Sequence, residues 1–533
     1  MKATYIDYKE TCSFSSAVIR YLEKDPQLQP FISHFPDLSG FRQAIADRKF
    51  QGDRQALAEV LRSQYRQNGA AIHPRVEHSL DLLASENTYT VTTGHQLNIF
   101  TGPLYFIYKI VTAIRLAEEL KAEFPDKEFI PVYWMATEDH DFAEINHTSI
   151  SGKKIVWDEP AAGATGRMNT KGIARALQEY QAILGVQPHT EELSALIRTA
   201  YSQPTLALAT RYLVNELFGR YGLVITDADH PQLKVQFAGI IEEDILHRHS
   251  FNCITSTIQR LEEAGIKSQV NPREINFFYL QDNLRERITL EGERYYVLNS
   301  DLSFSPEELR QEIRRFPERF SPNVVMRPLY QELVLPNIAY IGGGAEVVYW
   351  LELKSTFDRY QVDFPVVMLR NSALVASESL DARLTRTGLG YRDLFRDAEQ
   401  LKTQWVVRHS GSDLGISAER DEISALFQRL KGKAGKVDRT LEPSTEAIRA
   451  RLWKALDNLE KKMLRAEKRK HETSLNQVIR LKEKYFPNGS LQERTENFGS
   501  FYSRHGQDFI QGLLDAFHPL QFKFTIVEFE EHD

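Results

Sequence analysis

Residues 88–137 follow a strand–helix–strand pattern, and no other feature of the sequence restricts the fold as strongly. TYTVTT (88–93) is rich in β-branched residues, which predicts a strand. The segment 103–124 has the composition of a long helix, and FIPVYWMAT (129–137) is almost entirely apolar, as expected of a strand buried on both faces. This order is that of a βαβ unit, from which parallel sheets are built.

Three further apolar runs predict additional parallel strands in the same sheet. They are GLVITDAD (222–229), NIAYIGG (337–343) and FPVVMLR (364–370). The intervals 150–205 and 240–330 are longer than a crossover helix requires, so we interpret them as insertions. Residues 1–414 are therefore predicted to form an α/β core, a doubly wound parallel sheet with inserted lobes.

The composition changes after residue 414, where Lys, Arg, Glu and Leu become frequent. A helix at 445–485 is predicted to carry a narrow apolar seam of Leu452, Leu456, Leu459, Met463 and Ala466. With a shorter helix at 417–431, it predicts an antiparallel coiled-coil arm over 415–490; a solvated helical hairpin is the alternative. Residues 491–533 end in the alternating run FKFTIVEF and are predicted to return to the core as a helix and a strand.

The composition also restricts the classes of function. A formal net charge of −7 over 533 residues argues against general binding of nucleic acid, which requires a concentrated basic face. Two cysteines, Cys12 and Cys253, are too few for a disulfide framework or a cysteine-rich zinc site, and they fit a reducing compartment. The sequence shows no signal peptide and no apolar run of about 20 residues, so we expect a cytoplasmic protein with no membrane partner.

The loop TTGHQLNIFTGPLY (92–105), between the first predicted strand and helix, is the first candidate site. Orphan amides and the positive end of the helix dipole make such an N-terminus an anion site. Pro103 is expected in the first helical turn, capped by Thr101 or Gly102. Residues that would admit or bind a phosphate or carboxylate here are Gly94, His95, Gln96, Asn98 and Gly102. An ordinary βα loop with a solvated His95 is the alternative.

The segment TEDHDFAEINH (137–147) follows the second predicted strand and is the second candidate. It gathers Glu138, Asp139, His140, Asp141, Glu144 and His147 where open α/β sheets bind ligands. A carboxylate beside a histidine is typical of a general base, so we predict His140 as the base, oriented by Asp139 or Asp141. A metal site is an alternative, although HExxH spacing is absent, and a structural acidic turn is another.

Two more strand ends carry candidate ligand-binding residues. In ITDADHP (225–231), Asp227 and Asp229 could bind hydroxyls or an amine, or could cap a helix. The segment 321–350 contains Arg327 and, four residues later, Gln331. An arginine suits bidentate binding of a carboxylate.

The same segment continues into a glycine triplet at 342–344. Gly343 lies at its centre and Glu346 follows it. Three successive glycines indicate a tight turn or close approach of a ligand to the backbone, a flexible turn with a surface arginine being the alternative. The sequence contains neither a GxxxxGK[ST] loop nor GxGxxG, which disfavours P-loop and standard dinucleotide sites.

Five segments together resemble the bacillithiol-biosynthesis cysteine ligase family. They are TGHQLNIFTGPLYFIYKI, PVYWMATEDHDFAEINH, LFGRYGLVITDADHP, FSPNVVMRPLYQELVLPNIAYIGGGAEVVYW and YFPNGSLQERTENF, in this order along nearly the full chain. The resemblance implies a Rossmann-like core similar to class I aminoacyl-tRNA synthetases, with two connecting-peptide insertions and a coiled-coil arm that supports a homodimer. TGHQ (93–96) would stand at the HIGH signature, sharing its Gly and His in a different order, and no KMSKS-like loop is present.

The resemblance implies a ligase that adds L-cysteine to glucosaminyl-malate in the last step of bacillithiol biosynthesis. ATP, with Mg²⁺ bound to the nucleotide, would form a cysteinyl adenylate whose α-phosphate lies at the 93–103 helix N-terminus, and the sugar amine would then attack. Arg327 would bind a malate carboxylate, and Asp227 or Asp229 the sugar hydroxyls or the cysteine ammonium. Tyr105 and Trp134 are also expected in the substrate site.

No metal cluster is expected, so the substrate thiol would be recognised without zinc. Two other functions stay open on the sequence. One is a non-catalytic, nucleotide-binding scaffold whose arm organises other enzymes of the pathway. The other is a metal-dependent hydrolase built on Glu138, His140 and His147.

Overall fold

The computed structural model describes residues 1–67, 72–411 and 415–530, which form two units. Unit 1 comprises Met1–Val375 and Leu491–Val527, and unit 2 comprises Ala376–Ser490 with the residues after Val527. The units divide after Val375 and not after residue 414 as predicted. The reason is that helices Glu378–Arg386 and Ala398–His409 pack against the long helices of unit 2.

A five-stranded parallel sheet lies at the centre of unit 1, which confirms the predicted fold class. Its strands are β1 (Thr88–His95), β2 (Glu128–Met135), β3 (Val224–Asp227), β4 (Asn337–Gly342) and β5 (Val366–Leu369). Their order across the sheet is β5-β4-β1-β2-β3, and all neighbours are parallel. The chain reverses direction across the sheet between β1 and β4, and such a switch point opens a crevice at the carboxyl ends of the strands.

Helix α1 (Tyr105–Glu123) connects β1 to β2 and covers one face of the sheet. Its apolar side packs on buried sheet residues such as Val91, Ile341 and Met368. The helix begins two residues after Pro103, with Leu104 as the N-cap and no side-chain cap, so the predicted cap at Thr101 or Gly102 is wrong. The backbone is left-handed from residue 100 to 102, which holds it out of the helix until Leu104.

Both predicted insertions carry secondary structure of their own. The first contains the hairpin His147–Ile150 with Lys153–Val156 and helices Ala174–Leu184 and Thr190–Tyr201. The second contains helices Ala238–His247, His249–Glu263 and Pro306–Arg315. It also contains an antiparallel sheet in the order Ser303–Phe304, Arg294–Val297, Leu284–Glu291, Phe277–Gln281, Phe320–Pro322. This second sheet was not predicted.

The remaining helices of unit 1 surround the central sheet. They are Ser16–Leu22, Leu38–Asp47, Arg54–Arg66, Pro74–Leu82, Phe142–Ile145, Leu206–Phe218, Pro231–Val235, α2 (Arg327–Val334), α3 (Gly344–Tyr360), Gly499–His505 and Gln507–Ala516. A three-stranded sheet has the order Lys2–Asp7, Lys523–Phe529, Ala373–Ser377. A buried ion pair of 2.7 Å between Arg370 and Glu493 fixes the C-terminal segment to the end of β5.

Unit 2 consists mainly of helices. They are Glu378–Arg386, Tyr391–Leu394, Ala398–His409, Ser417–Val437, Leu441–Lys470 and Glu472–Tyr485. Arg420 pairs with Asp457 at 2.5 Å and Lys431 with Glu446 at 3.2 Å, so Ser417–Val437 and Leu441–Lys470 run antiparallel, as predicted. Leu459 is 49% exposed, and its assignment to a covered seam within one chain is therefore wrong. In the described ranges, no helix has the length and apolar character needed to span a bilayer.

Candidate active site

A cleft of about 670 Å³ opens at the carboxyl ends of the central strands. One wall is formed by the sheet, through Gly94 of β1, Met135 of β2 and Tyr340 of β4. The opposite wall is the antiparallel sheet of the second insertion, which contributes Phe278 and Arg285. The volume lies within the range typical of small-molecule sites.

The three predicted segments at 93–103, 138–141 and 327–346 meet in this cleft. Eleven of the predicted residues line it: Gly94, His95, Gln96, Tyr105, Trp134, Glu138, Asp139, His140, Asp141, Arg327 and Glu346. The other seven lie outside its lining: Asn98, Thr101, Gly102, Asp227, Asp229, Gln331 and Gly343. The carboxyl ends of the parallel strands therefore lead to one cleft, as expected, and the assignment of individual residues to a ligand stays a prediction.

The N-terminus of α1 is closed by the C-terminal segment of the chain. The Asn497 side-chain amide donates to the carbonyls of Phe100 and Gly102 at 2.8 and 2.6 Å, and the Leu104 amide donates to the Glu496 carbonyl at 2.8 Å. Thr101 is buried in the same loop. The Leu104 amide is therefore already bonded to protein, and the buried loop before it is not open to an anion as predicted.

The two aspartates after β3 are also occupied. Asp227 accepts a hydrogen bond from the Thr137 hydroxyl at 2.5 Å, and burial, with the charge of Asp229, raises its pKa to about 6. Asp229 accepts two hydrogen bonds from the Arg167 guanidinium, at 2.7 and 2.8 Å. Neither carboxylate is presented to the cleft, so the predicted contacts to sugar hydroxyls or to the cysteine ammonium are not supported.

The floor of the cleft contains a buried ion pair between Lys109 and Glu346. The Lys109 ammonium lies 2.5 Å from the Glu346 carboxylate and donates to the Gly94 carbonyl at 2.8 Å. Glu346 also accepts from the Tyr340 hydroxyl at 2.9 Å and from the Gly343 amide at 2.8 Å. Burial acts to raise the pKa of Glu346, but Lys109 and the Gly343 amide outweigh it and hold that pKa below its ordinary value. The network joins β1, β4, α1 and α3.

His95 is held as a neutral ring beside this network. It stacks on Tyr105 with a centroid distance of 5.3 Å and an angle of 6° between the planes. Burial, and then the charge of Lys109, lower its pKa to about 3. Its Nε2 is buried without a hydrogen-bond partner among the described residues. His95 is therefore suited to hydrogen bonding in its neutral form and not to carrying a proton at neutral pH.

His140 is oriented by Arg285, and not by Asp139 or Asp141 as predicted. A guanidinium nitrogen of Arg285 contacts Nδ1 of His140. Because a guanidinium only donates, Nδ1 must accept, and a neutral His140 carries its proton on Nε2. Burial, followed by the charge of Arg285, lowers the pKa of His140. Asp139 instead accepts from the Gln96 amide at 2.7 Å.

Glu138 lines the cleft and pairs with a lysine that the sequence did not reveal. Its Oε1 lies 2.6 Å from the ammonium of Lys234, which is fully buried and also donates to the Phe320 carbonyl at 2.9 Å. Burial is the largest influence on Glu138 and raises its pKa to about 7, although Lys234 opposes the shift. The cleft thus contains a carboxylate that is less acidic than an ordinary glutamate.

Arg327 lines the cleft at the first residue of α2. Its Nη1 donates to Gln331 Oε1 at 2.9 Å, and its guanidinium lies 5.6 Å from the centre of the Tyr340 ring. Gln331 is fully buried and donates onward to Glu332 at 2.9 Å. Gln331 therefore positions Arg327 and does not reach a ligand itself. The guanidinium is placed to bind an anion in the cleft.

Several cleft residues were missed by the sequence interpretation. Arg285 and Arg287 occupy alternate positions of one strand, so both side chains point to the same face, and this period of two was a usable signal. Lys109 is the only charged residue in the first ten residues of α1, 105–114, which is typical of a paired buried charge. For Lys234 no local pattern indicated burial.

Glu138, His140 and His147 do not converge. Glu138 is bonded to Lys234, His140 to Arg285, and His147 contacts Asn146 at 3.1 Å. Over residues 1–67, 72–411 and 415–530, no group of three or more His, Cys, Asp or Glu side chains is arranged to hold a metal ion. Each of the three predicted metal ligands thus forms a hydrogen bond with a different residue.

Two family models cover almost the whole sequence. "Bacillithiol biosynthesis BshC, N-terminal Rossmann-like domain" matches residues 1–371, and "Bacillithiol biosynthesis BshC, C-terminal coiled-coil domain" matches residues 373–529. The boundary between the two matches agrees with the division of the structure after Val375. The Rossmann-like core and the coiled-coil unit are thereby found both in the family and in the structure.

Full-length relatives carry a consistent name. Proteins called "Putative cysteine ligase BshC" from Flavobacterium johnsoniae and Flavobacterium psychrophilum are 42% and 41% identical to this chain, and in both cases 99% of this chain and 100% of the relative are covered. A protein of the same name from Christiangramia forsetii is 39% identical, with 99% of each chain covered.

Proposed function

The chain belongs to the bacillithiol biosynthesis BshC family, and from that premise we propose that it is a ligase that joins L-cysteine to glucosaminyl-malate. The observation that supports this proposal most is the mixed charge of the cleft at the sheet switch point. Cationic Arg273, Arg287 and Arg327 line it together with anionic Asp141 and Glu144. Such a cleft suits substrates that carry carboxylates or phosphates as well as an ammonium group.

The reaction is proposed to proceed through cysteinyl adenylate, with ATP as a substrate and Mg²⁺ bound to its phosphates. The cysteine carboxylate would attack the α-phosphorus and release pyrophosphate. The sugar amine would then attack the carbonyl carbon, and AMP would leave with the electron pair of the broken C–O bond. Because the loop before α1 is buried, the negative charge of the α-phosphate would be stabilised by two arginines of the antiparallel sheet, Arg285 and Arg287.

For His140 we propose a different role from the one expected from the sequence. Its Nδ1 is taken by Arg285, so the group facing the reaction would be the Nε2–H donor. A donor of this kind stabilises the negative charge that develops on a carbonyl oxygen under attack. Arg327 would bind a malate carboxylate, as the sequence suggested. A cytoplasmic location remains part of the proposal, on the basis of the two cysteines.

Purified protein, cysteine, glucosaminyl-malate and Mg·ATP are expected to yield the cysteinylated acceptor, detected by mass spectrometry, with one AMP formed per product. Omission of ATP should abolish the product. Formation of ADP in place of AMP would rule out the adenylate while leaving the ligase intact. Binding of nucleotide without any product would instead favour the scaffold function.

We also propose that the long helices of unit 2 support a homodimer. Leu426, Leu430 and Ile448 are 44%, 43% and 56% exposed in the single chain, although they are apolar residues at helical spacing. In sedimentation equilibrium the wild type should have twice the 61.4 kDa chain mass, and Leu426→Lys/Leu430→Lys should be monomeric. Val186→Lys, at a 99% exposed site of unit 1, is the control. A monomeric wild type would contradict the proposal.

A further inference from the structure

We propose that Glu138 is the general base that takes the proton from the attacking amine, and that the buried Lys234 positions its carboxylate. This inference rests on the proposed ligation, because it concerns the step in which the amine attacks the activated cysteine. Neither residue was identified as the base from the sequence, which pointed to the neighbouring His140. The inference depends on where the two carboxylate oxygens of Glu138 lie.

The two oxygens of Glu138 have different surroundings. Oε1 is fixed by the Lys234 ammonium at 2.6 Å, and Lys234 is in turn held by the Phe320 carbonyl at 2.9 Å and by the Tyr330 ring at 5.0 Å. Within the described residues, Oε2 makes no hydrogen bond, and Glu138 belongs to the cleft lining. One oxygen is therefore immobilised while the other is left for a ligand, as a positioned base requires.

The other candidates in the cleft are less suited to accept a proton. His140 has its only unprotonated nitrogen bonded to Arg285, so it cannot accept without losing that contact. Asp139 and Glu144 both accept from the Gln96 side chain, at 2.7 and 2.8 Å. His95 is held neutral beside Lys109. Glu138 alone among these groups combines a fixed carboxylate with a free oxygen and near-complete burial.

The charges around Glu138 adjust its pKa to the range that suits a general base. It is faced by Lys234 on helix Pro231–Val235, by Asp229 after β3 and by Arg285 on the antiparallel sheet, and Arg167 and Tyr330 also lie near enough to interact. Burial raises its pKa to about 7, Asp229 adds to that rise, and Lys234 and Arg285 reduce it. A carboxylate whose pKa is raised in this way accepts a proton more readily than an ordinary glutamate, which suits a general base.

In the proposed step the C–N bond forms as the amine nitrogen attacks the carbonyl carbon. The nitrogen loses a proton to Oε2 of Glu138, and the C–O bond to the leaving phosphate breaks, with its electron pair departing on that oxygen. Glu138 returns its proton to solvent after product release. The role of Lys234 is to hold the carboxylate and to lower its pKa, and not to exchange protons.

Glu138→Gln is expected to lower kcat by about 10²- to 10³-fold, the usual contribution of a general base. The wild-type kcat should fall as pH decreases through about 7, because Glu138 becomes protonated. In Glu138→Gln the part of this limb that belongs to Glu138 should be lost, so that only the limb of the acceptor amine remains. The acceptor amine also titrates, but its limb is common to all variants and therefore does not confuse the comparison.

Lys234→Met provides the test of positioning. Removing the cation should raise the pKa of Glu138, so the acidic limb of kcat should move to higher pH, a change that loss of structure alone would not cause. Thermal melting of each variant checks folding. If Lys234→Met unfolds, Glu138→Gln/Lys234→Met, which leaves no unpaired charge, replaces it. The limb of the double variant should match that of Glu138→Gln, because Lys234 acts only through Glu138. Glu118→Gln, at an exposed carboxylate of α1, is the matched control with unchanged kinetics.

The outcomes separate the two proposals. If the wild type forms no product at all, the ligase function fails. If the wild type forms product while folded Glu138→Gln stays within a few-fold of its kcat and keeps the acidic limb, the ligase function stands and the base is another group. A higher KM for cysteine with an unchanged limb would mean that Glu138 binds the substrate ammonium and takes no proton.

Discussion

Lys109→Met is expected to reduce the free energy of unfolding of unit 1 by about 3–5 kcal/mol, the usual cost of removing one partner from a buried ion pair. The side chains of Lys109 and Glu346 are only 7% and 22% exposed. Among the described residues, loss of the ammonium leaves the buried Glu346 carboxylate with the Tyr340 hydroxyl and the Gly343 amide as donors. The Gly94 carbonyl also loses its donor at the end of β1.

Urea denaturation followed by circular dichroism measures this loss. Lys121→Met, at an exposed pair with Glu128, is the matched control and should cost less than about 1 kcal/mol. The deficit should shrink as pH falls toward the ordinary pKa of a glutamate and below it. Glu346 in the variant escapes its unpaired charge by protonation, whereas in the wild type its pKa is lowered and protonation removes a favourable pair. A deficit below about 1 kcal/mol at pH 7 would mean that the pair contributes little to the cleft floor.

Arg327→Met is expected to lower kcat/KM for glucosaminyl-malate by roughly 10- to 150-fold, which corresponds to the loss of charged hydrogen bonds worth about 1.5–3 kcal/mol. The guanidinium is fixed by Gln331 and lies over Tyr340, so its fork is already oriented when a carboxylate arrives. Arg327→Lys should recover only part of the activity, because an ammonium keeps the charge but not the two parallel donors.

The measurement is steady-state kinetics with the acceptor varied at saturating cysteine and ATP. Arg310→Met removes an arginine whose guanidinium pairs with Glu307 and Glu242 at the surface of the second insertion, and it should leave the constants unchanged. If folded Arg327→Met retains kcat/KM within two-fold, the malate carboxylate is bound elsewhere. An effect on cysteine or ATP alone would reassign Arg327 to that substrate.

The central strands and α1 could be predicted because their signals are local. TYTVTT and FIPVYWMAT each predict a buried strand, and the apolar residues of the segment between them recur with the period of a helix. The antiparallel sheet was missed because its strands lie in an insertion, and one of them, Phe320–Pro322, pairs with a strand about 40 residues earlier in the sequence, Phe277–Gln281. Its alternating segment LRERITLE was nevertheless readable as a strand.

Parts of the site could not be predicted because their determinants are distant in sequence. The buried Lys234 is paired with Glu138, which lies 96 residues away in sequence, and nothing in PQLKV indicates such a partner. The α1 terminus is closed by Asn497, 395 residues beyond Gly102, so a loop that looked open to anions is covered. His140 likewise obtained its partner, Arg285, from the second insertion and not from its acidic neighbours.

The central claim is that the cleft between the parallel sheet and the antiparallel sheet binds the acceptor for ligation. A crystal structure of the protein with glucosaminyl-malate bound tests it most directly. We predict a malate carboxylate within hydrogen-bond distance of the Arg327 guanidinium, and the sugar amine near Oε2 of Glu138. Acceptor bound outside this cleft, with both side chains free of contact, would contradict the claim.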